Sequence, residues 1–217
     1  MGSHEPENTA VMSDEKQRVI TVLDGQSIEQ IKAKLKKDSE VHWYALRVTA
    51  QHERKLVDKL KEKDFVAFVP TRQEKHRWSD RMKIVEQVLT PQIVFVRNSM
   101  SNKNGVFVSH DVKSYVYAPG DNKPSMIPDA KMDDFIRLID ANFDFKLTLP
   151  FVGDTVMILE GPLKGLVGDL VKIDGDQQLV VRLNDAFGAS VKVDALAIQK
   201  VPKGTVSIPS EHVPDRV

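Results

Sequence analysis

The apolar positions of the chain alternate between strand and helix periods. Trp43-Tyr44-Ala45-Leu46-Arg47-Val48 is β-prone and predicts a strand. From His52 to Lys63, Leu56, Val57 and Leu60 fall on one face at helical spacing. Phe65-Val66-Ala67-Phe68-Val69 predicts a second strand, stopped by Pro70. Thr71 to Lys83 is charged with little periodicity, which suits a hairpin arm or loop. After Pro91, Ile93-Val94-Phe95-Val96 is apolar at successive positions, the pattern of a strand covered on both faces. Lys113 to Ala118 predicts another strand. Asp129 reads as an N-cap, and Met132, Phe135, Ile136 and Ile139 form the stripe of a second helix.

Upstream, Arg18 to Leu23 is β-prone and ends at Asp24-Gly25. Ser27 and Gln30 have capping-box spacing ahead of Ile28, Ile31 and Leu35, so residues 18–38 read as a small strand-turn-helix. Downstream the texture shifts. Phe143 to Pro150 reads as a connector. Short strands punctuated by glycines then follow at Thr155–Ile158, Val167–Ile173, Leu179–Leu183 and Ser190–Val193. Such spacing predicts a small β-barrel. The fold class is α+β, an antiparallel sheet flanked by helices and followed by the barrel. The boundaries are an N-terminal extension over 1–40, an α+β domain over 41–142, a linker over 143–150, a barrel over 151–202 and a tail over 203–217.

Composition narrows the chemistry. With 41% hydrophobic and 29% charged residues the chain is globular. The 31 basic residues balance 31 acidic ones, so any nucleic-acid contact depends on a local patch. There is no cysteine, which excludes disulfides and thiolate-ligated metal. The polar Met1–Ala10 has no apolar signal core and no apolar run approaches the ~20 residues of a membrane span, so a cytoplasmic protein without membrane contact is expected. The six histidines lack ligand spacing, and no nucleophile–base motif occurs. Asp133-Asp134 suit the positive end of a helix dipole. No metal, no cofactor and no catalytic residue are expected.

The sharpest local signal is Gly153-Asp154-Thr155-Val156-Met157-Ile158 followed by Gly161-Pro162-Leu163-Lys164-Gly165-Leu166-Val167-Gly168. Gly161-Pro162 suits a turn, Gly165 a positive φ and Gly168 a close strand approach. The spacing of Gly161, Gly165 and Gly168 fits neither a Walker loop nor a dinucleotide fingerprint. The run resembles a KOW motif, whose residues here are Gly153, Gly161, Pro162, Gly165 and Gly168. Asp185-Ala186-Phe187-Gly188 and the strand after it resemble the end of a NusG barrel. Trp43-Tyr44 opening a strand, Pro91 before an apolar strand, and Pro128-Asp129 before the last helix resemble the NusG N-terminal (NGN) domain. The resemblance covers roughly residues 42–201.

That resemblance implies an SH3-like KOW barrel behind an NGN domain, and a transcription elongation or antitermination factor. The NGN domain of such factors binds the clamp of the largest RNA polymerase subunit. Carried over by position, the polymerase-binding residues are Tyr44, Pro91, Ile93 and Phe95. The barrel typically recruits a partner such as the termination factor Rho or a small-subunit ribosomal protein. The family usually shows aromatic-Pro-Gly-Tyr where this chain has Thr90-Pro91-Gln92-Ile93, so two aromatic anchors are missing. This departure and the N-terminal extension resemble the operon-specific antiterminators of capsular polysaccharide clusters.

Several residues carry two readings. Ile93 to Val96 are either sheet core or a partner surface. Because Trp43 and Tyr44 alternate, one is expected in the core and the other free for an interface. Lys75, Arg77, Trp78 and Arg81 on the arm suit non-template DNA, nascent RNA or the polymerase lobe, with base stacking on Trp78, or else a solvated hairpin. Lys55 and Lys59, four apart on the first helix, suit either DNA contact or an ordinary solvated face. The alternative function is a ribosome-associated RNA-binding KOW protein, against which the neutral charge speaks. An enzyme with an unrecognised site is a third reading, for which the sequence shows no constellation.

Overall fold

The computed structural model describes residues 19–21, 41–77, 82–141, 145–148, 153–173, 176–192 and 198–208. Strand β1 is Val19–Thr21. The first large unit is built on strand β2 (His42–Val48), helix α1 (Glu53–Lys61) and strand β3 (Val66–Phe68). Strands β4 (Thr71–Arg77) and β5 (Met82–Val88) form a hairpin, and β6 (Ile93–Asn98) returns beside β2. A 3-10 segment over Met100–Val106 leads to β7 (Val112–Tyr115), and helix α2 (Asp129–Asp140) closes the unit.

The central sheet is antiparallel, in the order β3-β6-β2-β7. Its two middle strands are apolar on both faces because both faces are covered. Trp43, Ala45 and Phe95 point toward α2, while Tyr44, Leu46, Val94 and Val96 pack with Leu56, Val57 and Leu60 of α1. Neither Trp43 nor Tyr44 is free, with exposures of 1% and 3%. This corrects the reading that one would stay available: alternation sends them to opposite faces, and each face has its own helix.

The charged stretch after Pro70 is a hairpin. β1 adds to its β4 edge, pairing Val19 with Gln73 and Thr21 with Thr71. The helix read over the N-terminal extension lies outside the described residues. At the root of the hairpin Glu86 accepts a hydrogen bond from Thr71 Oγ1 at 2.7 Å and pairs with Arg54 of α1 at 2.7 Å.

The C-terminal half is a six-stranded antiparallel sheet. Its strands are β8 (Phe145–Thr148), β9 (Asp154–Ile158), β10 (Val167–Ile173), β11 (Asp176–Arg182), β12 (Gly188–Lys192) and β13 (Ile198–Lys200), in the order β13-β9-β10-β11-β12-β8. Two expectations are corrected here. Part of the stretch expected as a linker is β8, which pairs with β12 and brings Phe145 against Phe135 at 5.3 Å. Four residues are too short to show a period, and the partner of Lys146 is Ser190, 44 positions away. The segment after Pro202, expected as a tail outside the barrel domain, lies along the barrel to its last described residue. The Ile208 N–H donates to Gly165 O at 2.9 Å, and Ser207 Oγ accepts from the Val167 N–H at 3.0 Å.

Asp129 is also not the N-cap. Pro128 holds that place in an extended conformation, and its carbonyl accepts the N–H groups of Lys131 and Met132. A proline has no N–H to lose at a helix start, so it suits the position. One hydrophobic cluster runs from the Trp43 face of the sheet through α2 into the barrel, joining Phe95, Phe135, Leu138, Val181 and Phe187.

Candidate docking surface

The loop from β5 into β6 is held from several sides. The Ile93 N–H donates to Thr90 O at 3.1 Å, and Thr90 Oγ1 donates to Ile93 O at 3.2 Å. Pro91 followed by Gln92 at φ 62° is the pattern of a type II turn. That left-handed conformation costs an ordinary side chain about 1 kcal/mol. Two bonds fix it: the Gln92 N–H donates to Glu53 Oε1 at 2.8 Å, and the Val48 N–H donates to Gln92 O at 2.9 Å. Glu53 sits in the first turn of α1 and is buried, so its carboxylate is committed to this backbone contact.

Pro91 and Gln92 are exposed and Ile93 is half-buried. They border a groove of about 890 Å³ whose other walls include Arg47, Lys113 and, from the barrel, Phe187. The other two residues expected at a polymerase surface lie elsewhere. Phe95 is 0% exposed, stacked 5.2 Å from Phe68 and packed against Phe135 and Phe187. Tyr44 faces away from the groove, edge-on to Tyr115 at 5.7 Å. Burial raises the pKa of both phenols; for Tyr115 a hydrogen bond with Asn98 works against it. The four residues therefore do not form one patch. Pro91 and Ile93 are brought together at the surface, Phe95 lies in the core cluster against which Ile93 packs, and Tyr44 stands on the opposite face.

The basic positions also separate. Lys55 is exposed on α1. Lys59 donates to Ser109 Oγ at 2.9 Å and lies 3.6 Å from Asp111. Asp111 additionally accepts from Ser109 Oγ at 2.6 Å and contacts His52 Nδ1 at 2.5 Å. The Ser109 hydrogen bond first, and that of His52 next, hold its carboxyl well below the usual carboxylate range. Lys59 is thus tied into a polar staple between α1 and β7. On the arm, Lys75 and Arg77 lie on β4 opposite Ile84 and Met82. Trp78 and Arg81 lie outside the described residues.

The glycine-rich run is structural. Gly161 and Gly165 have φ of 78° and 81°, and the Gly165 N–H donates to Ile158 O at 2.7 Å. Pro162 is exposed in the turn between them. A Cβ on Gly168 would come within 2.7 Å of Val180 O, and one on Gly153 would overlap the Leu170 carbonyl. Among the described residues no group of three or more His, Asp or Glu side chains is placed to hold a metal, and no helix is long and apolar enough to cross a membrane.

The sequence does not single out Glu53, Arg47, Gln92 or Lys113 as site residues. Only Gln92 leaves a signal there, as part of the unusual Thr90-Pro91-Gln92-Ile93 turn. The others meet through strand pairing and helix packing.

Comparison with known proteins agrees with this layout. Residues 41–136 match the family described as transcription termination factor nusG, and residues 152–182 match the KOW motif; together these span more than half of the chain. No curated protein sequence matches significantly. Seventeen chains of solved structures match. One, described as "Domain interaction in Thermotoga maritima NusG", is 22% identical, with 75% of this chain and 98% of that one covered and a TM-score of 0.43.

Proposed function

Because the chain belongs to the NusG family of transcription factors, we propose that it docks on RNA polymerase through the Pro91–Ile93 face of its N-terminal domain and recruits a second protein through its KOW barrel. The observation that carries this reading is the Pro91 turn itself. It holds an exposed proline and a half-buried isoleucine in a rigid frame, with a buried carboxylate spent on fixing the backbone. Rigid presentation of apolar anchors lowers the ordering cost of binding.

The mechanism is positional. The protein bridges elements of the transcribing enzyme and favours its elongating form, and it makes or breaks no bond itself. It acts in the cytoplasm as an operon-specific antiterminator. The clamp of the largest subunit is the docking partner, and Rho or a small-subunit ribosomal protein is the kind of partner the barrel takes. Lys55 and the arm residues Lys75, Arg77, Trp78 and Arg81 belong to segments that can follow exposed non-template DNA or nascent RNA.

The test is binding of the purified chain to a transcribing polymerase complex, comparing wild type with Ile93→Asp. A charge at the anchor is expected to weaken binding by about thirtyfold or more, as for an interface hot spot. Unchanged circular dichroism would show that the fold survives. Failure of the wild type to bind, together with salt-sensitive affinity for structured RNA, would replace this reading with that of an RNA-binding KOW protein.

A further inference from the structure

The groove beside the Pro91 turn has a polarity that the docking reading does not use. Its floor is apolar, with Ile93 from the sheet and Phe187 from the barrel. Its rim carries two cations, Arg47 on β2 and Lys113 on β7, both exposed. Among the described residues no Asp or Glu lines the groove. Arg47 makes no ion pair among them, and Lys113 reaches only the His110 carbonyl, at a long 3.4 Å. Some surface cations of this chain are paired, as Arg54 is with Glu86 and Lys200 with Asp154, and others, such as Lys172, stand exposed; Arg47 and Lys113 differ in sharing one groove that holds no acid among the described residues. Two cations left unneutralised around one groove form a local positive field on a chain of zero net charge.

Gln92 adds the second observation. It stands at the rim in a left-handed conformation that a glycine would adopt without strain. The turn needs only the backbone of this residue, since its N–H reaches Glu53 and its carbonyl accepts from Val48. The side-chain amide takes part in none of these bonds and is exposed. Gln51 and Asp64 share this backbone conformation, but Gln92 alone of the three lines the groove, so its amide is the one placed to meet something outside the chain.

We propose that Arg47, Gln92 and Lys113 form the polar rim of the docking groove and select a partner segment that is amphipathic and acidic. The apolar side of the segment lies on Ile93 and Phe187, its carboxylates face Arg47 and Lys113, and the Gln92 amide hydrogen-bonds one of its polar groups. This rests on the docking reading and names the chemistry of the polymerase surface that reading requires. Charge complementarity of this kind sets partner choice and association rate, while the apolar floor supplies most of the affinity.

The experiment uses the full chain and a transcribing polymerase complex, with affinity measured over a range of salt concentrations. The variants are Gln92→Gly, Gln92→Asn, the double reversal Arg47→Glu with Lys113→Glu, and a control reversal at the exposed barrel residue Lys172. Thermal unfolding is recorded for each. Gln92→Gly is expected to raise the unfolding temperature and still weaken binding several-fold, two effects of opposite sign that a merely structural residue would not show. Gln92→Asn, which keeps an amide and tolerates the left-handed region, restores part of the binding. The double reversal is expected to weaken binding about tenfold or more at low salt and to flatten its salt dependence, with Lys172→Glu unchanged. Wild-type affinity in either Gln92→Gly or the double reversal, while Ile93→Asp still fails to bind, overturns the rim and leaves the docking face standing. Wild-type affinity in Ile93→Asp, or no binding by the wild type, removes the docking face and the rim with it.

Discussion

Gln92 and Gly168 show how differently single positions constrain this chain. At Gly168 a side chain has nowhere to go, because the obstacle is the backbone oxygen of Val180. At Gln92 a side chain is tolerated against the local preference because Glu53 and Val48 hold the turn. The first kind of constraint is legible in a sequence, since glycines at that spacing mark places where no side chain fits. The second is not, since the buried carboxylate that enforces it is 39 residues upstream. Asp111 is a third case. Its carboxyl is held below the usual range by Ser109 and His52, so the folded chain binds the proton less readily than the unfolded one. The contribution is complete at neutral pH and is lost as pH falls below the ordinary carboxylate value of about 4. Urea midpoints of wild type and Asp111→Asn should therefore differ at pH 7 and converge progressively on acidification; a constant difference would show that the staple contributes nothing through ionisation.

The hairpin of β4 and β5 is tied to the rest of the unit at its root. It leaves the body with Ile84 61% exposed, and its root is fastened by Glu86 to Thr71 and Arg54. Because its root is held by polar contacts of Glu86 with Thr71 and Arg54, its amides should open locally at lower free energy than those of the central sheet. Glu86→Ala is expected to speed hydrogen exchange along β4 and β5 with little change in β2 and β6. Equal acceleration in the central sheet would mean that the arm and the body unfold as one. Helix α2 is the opposite kind of element. Met132, Phe135, Ile136, Leu138 and Ile139 are all buried, more than one stripe can account for, because the sheet lies on one side and the barrel on another. The stripe is readable from its period; the extra buried position at Leu138 follows from a second layer that periodicity does not reveal.

The molecule as a whole is joined through that helix. Phe187 of the barrel lies 6.4 Å from Phe95 of the sheet, Asn184 Nδ2 donates to Ser125 O at 3.2 Å, and Ser207 Oγ donates to Asp134 at 2.8 Å. Arg137 of α2 reaches the carbonyls of Ile208 and Lys164. A core continuous across both halves predicts one calorimetric unfolding transition for the wild type. Phe187→Asp places a charge in that core and should split the transition in two, one for each half. Two separate transitions already present in the wild type would contradict the continuous core.

The class of the fold, the order of its elements and the glycine skeleton of the barrel follow from local rules: strand and helix periods, proline stops, and glycines where a positive φ or a close approach leaves no substitute. Those rules act over a few residues, so they can be read along the chain. They do not tell which side of the sheet Tyr44 and Phe95 face in the finished molecule, that Phe145–Thr148 joins the barrel, or that Lys59 is consumed by Ser109 and Asp111. Each of these depends on a partner tens of residues away. The groove is the clearest instance. Arg47, Gln92, Lys113 and Phe187 come from four distant places, and only antiparallel pairing and the packing of the barrel on α2 bring them to one rim.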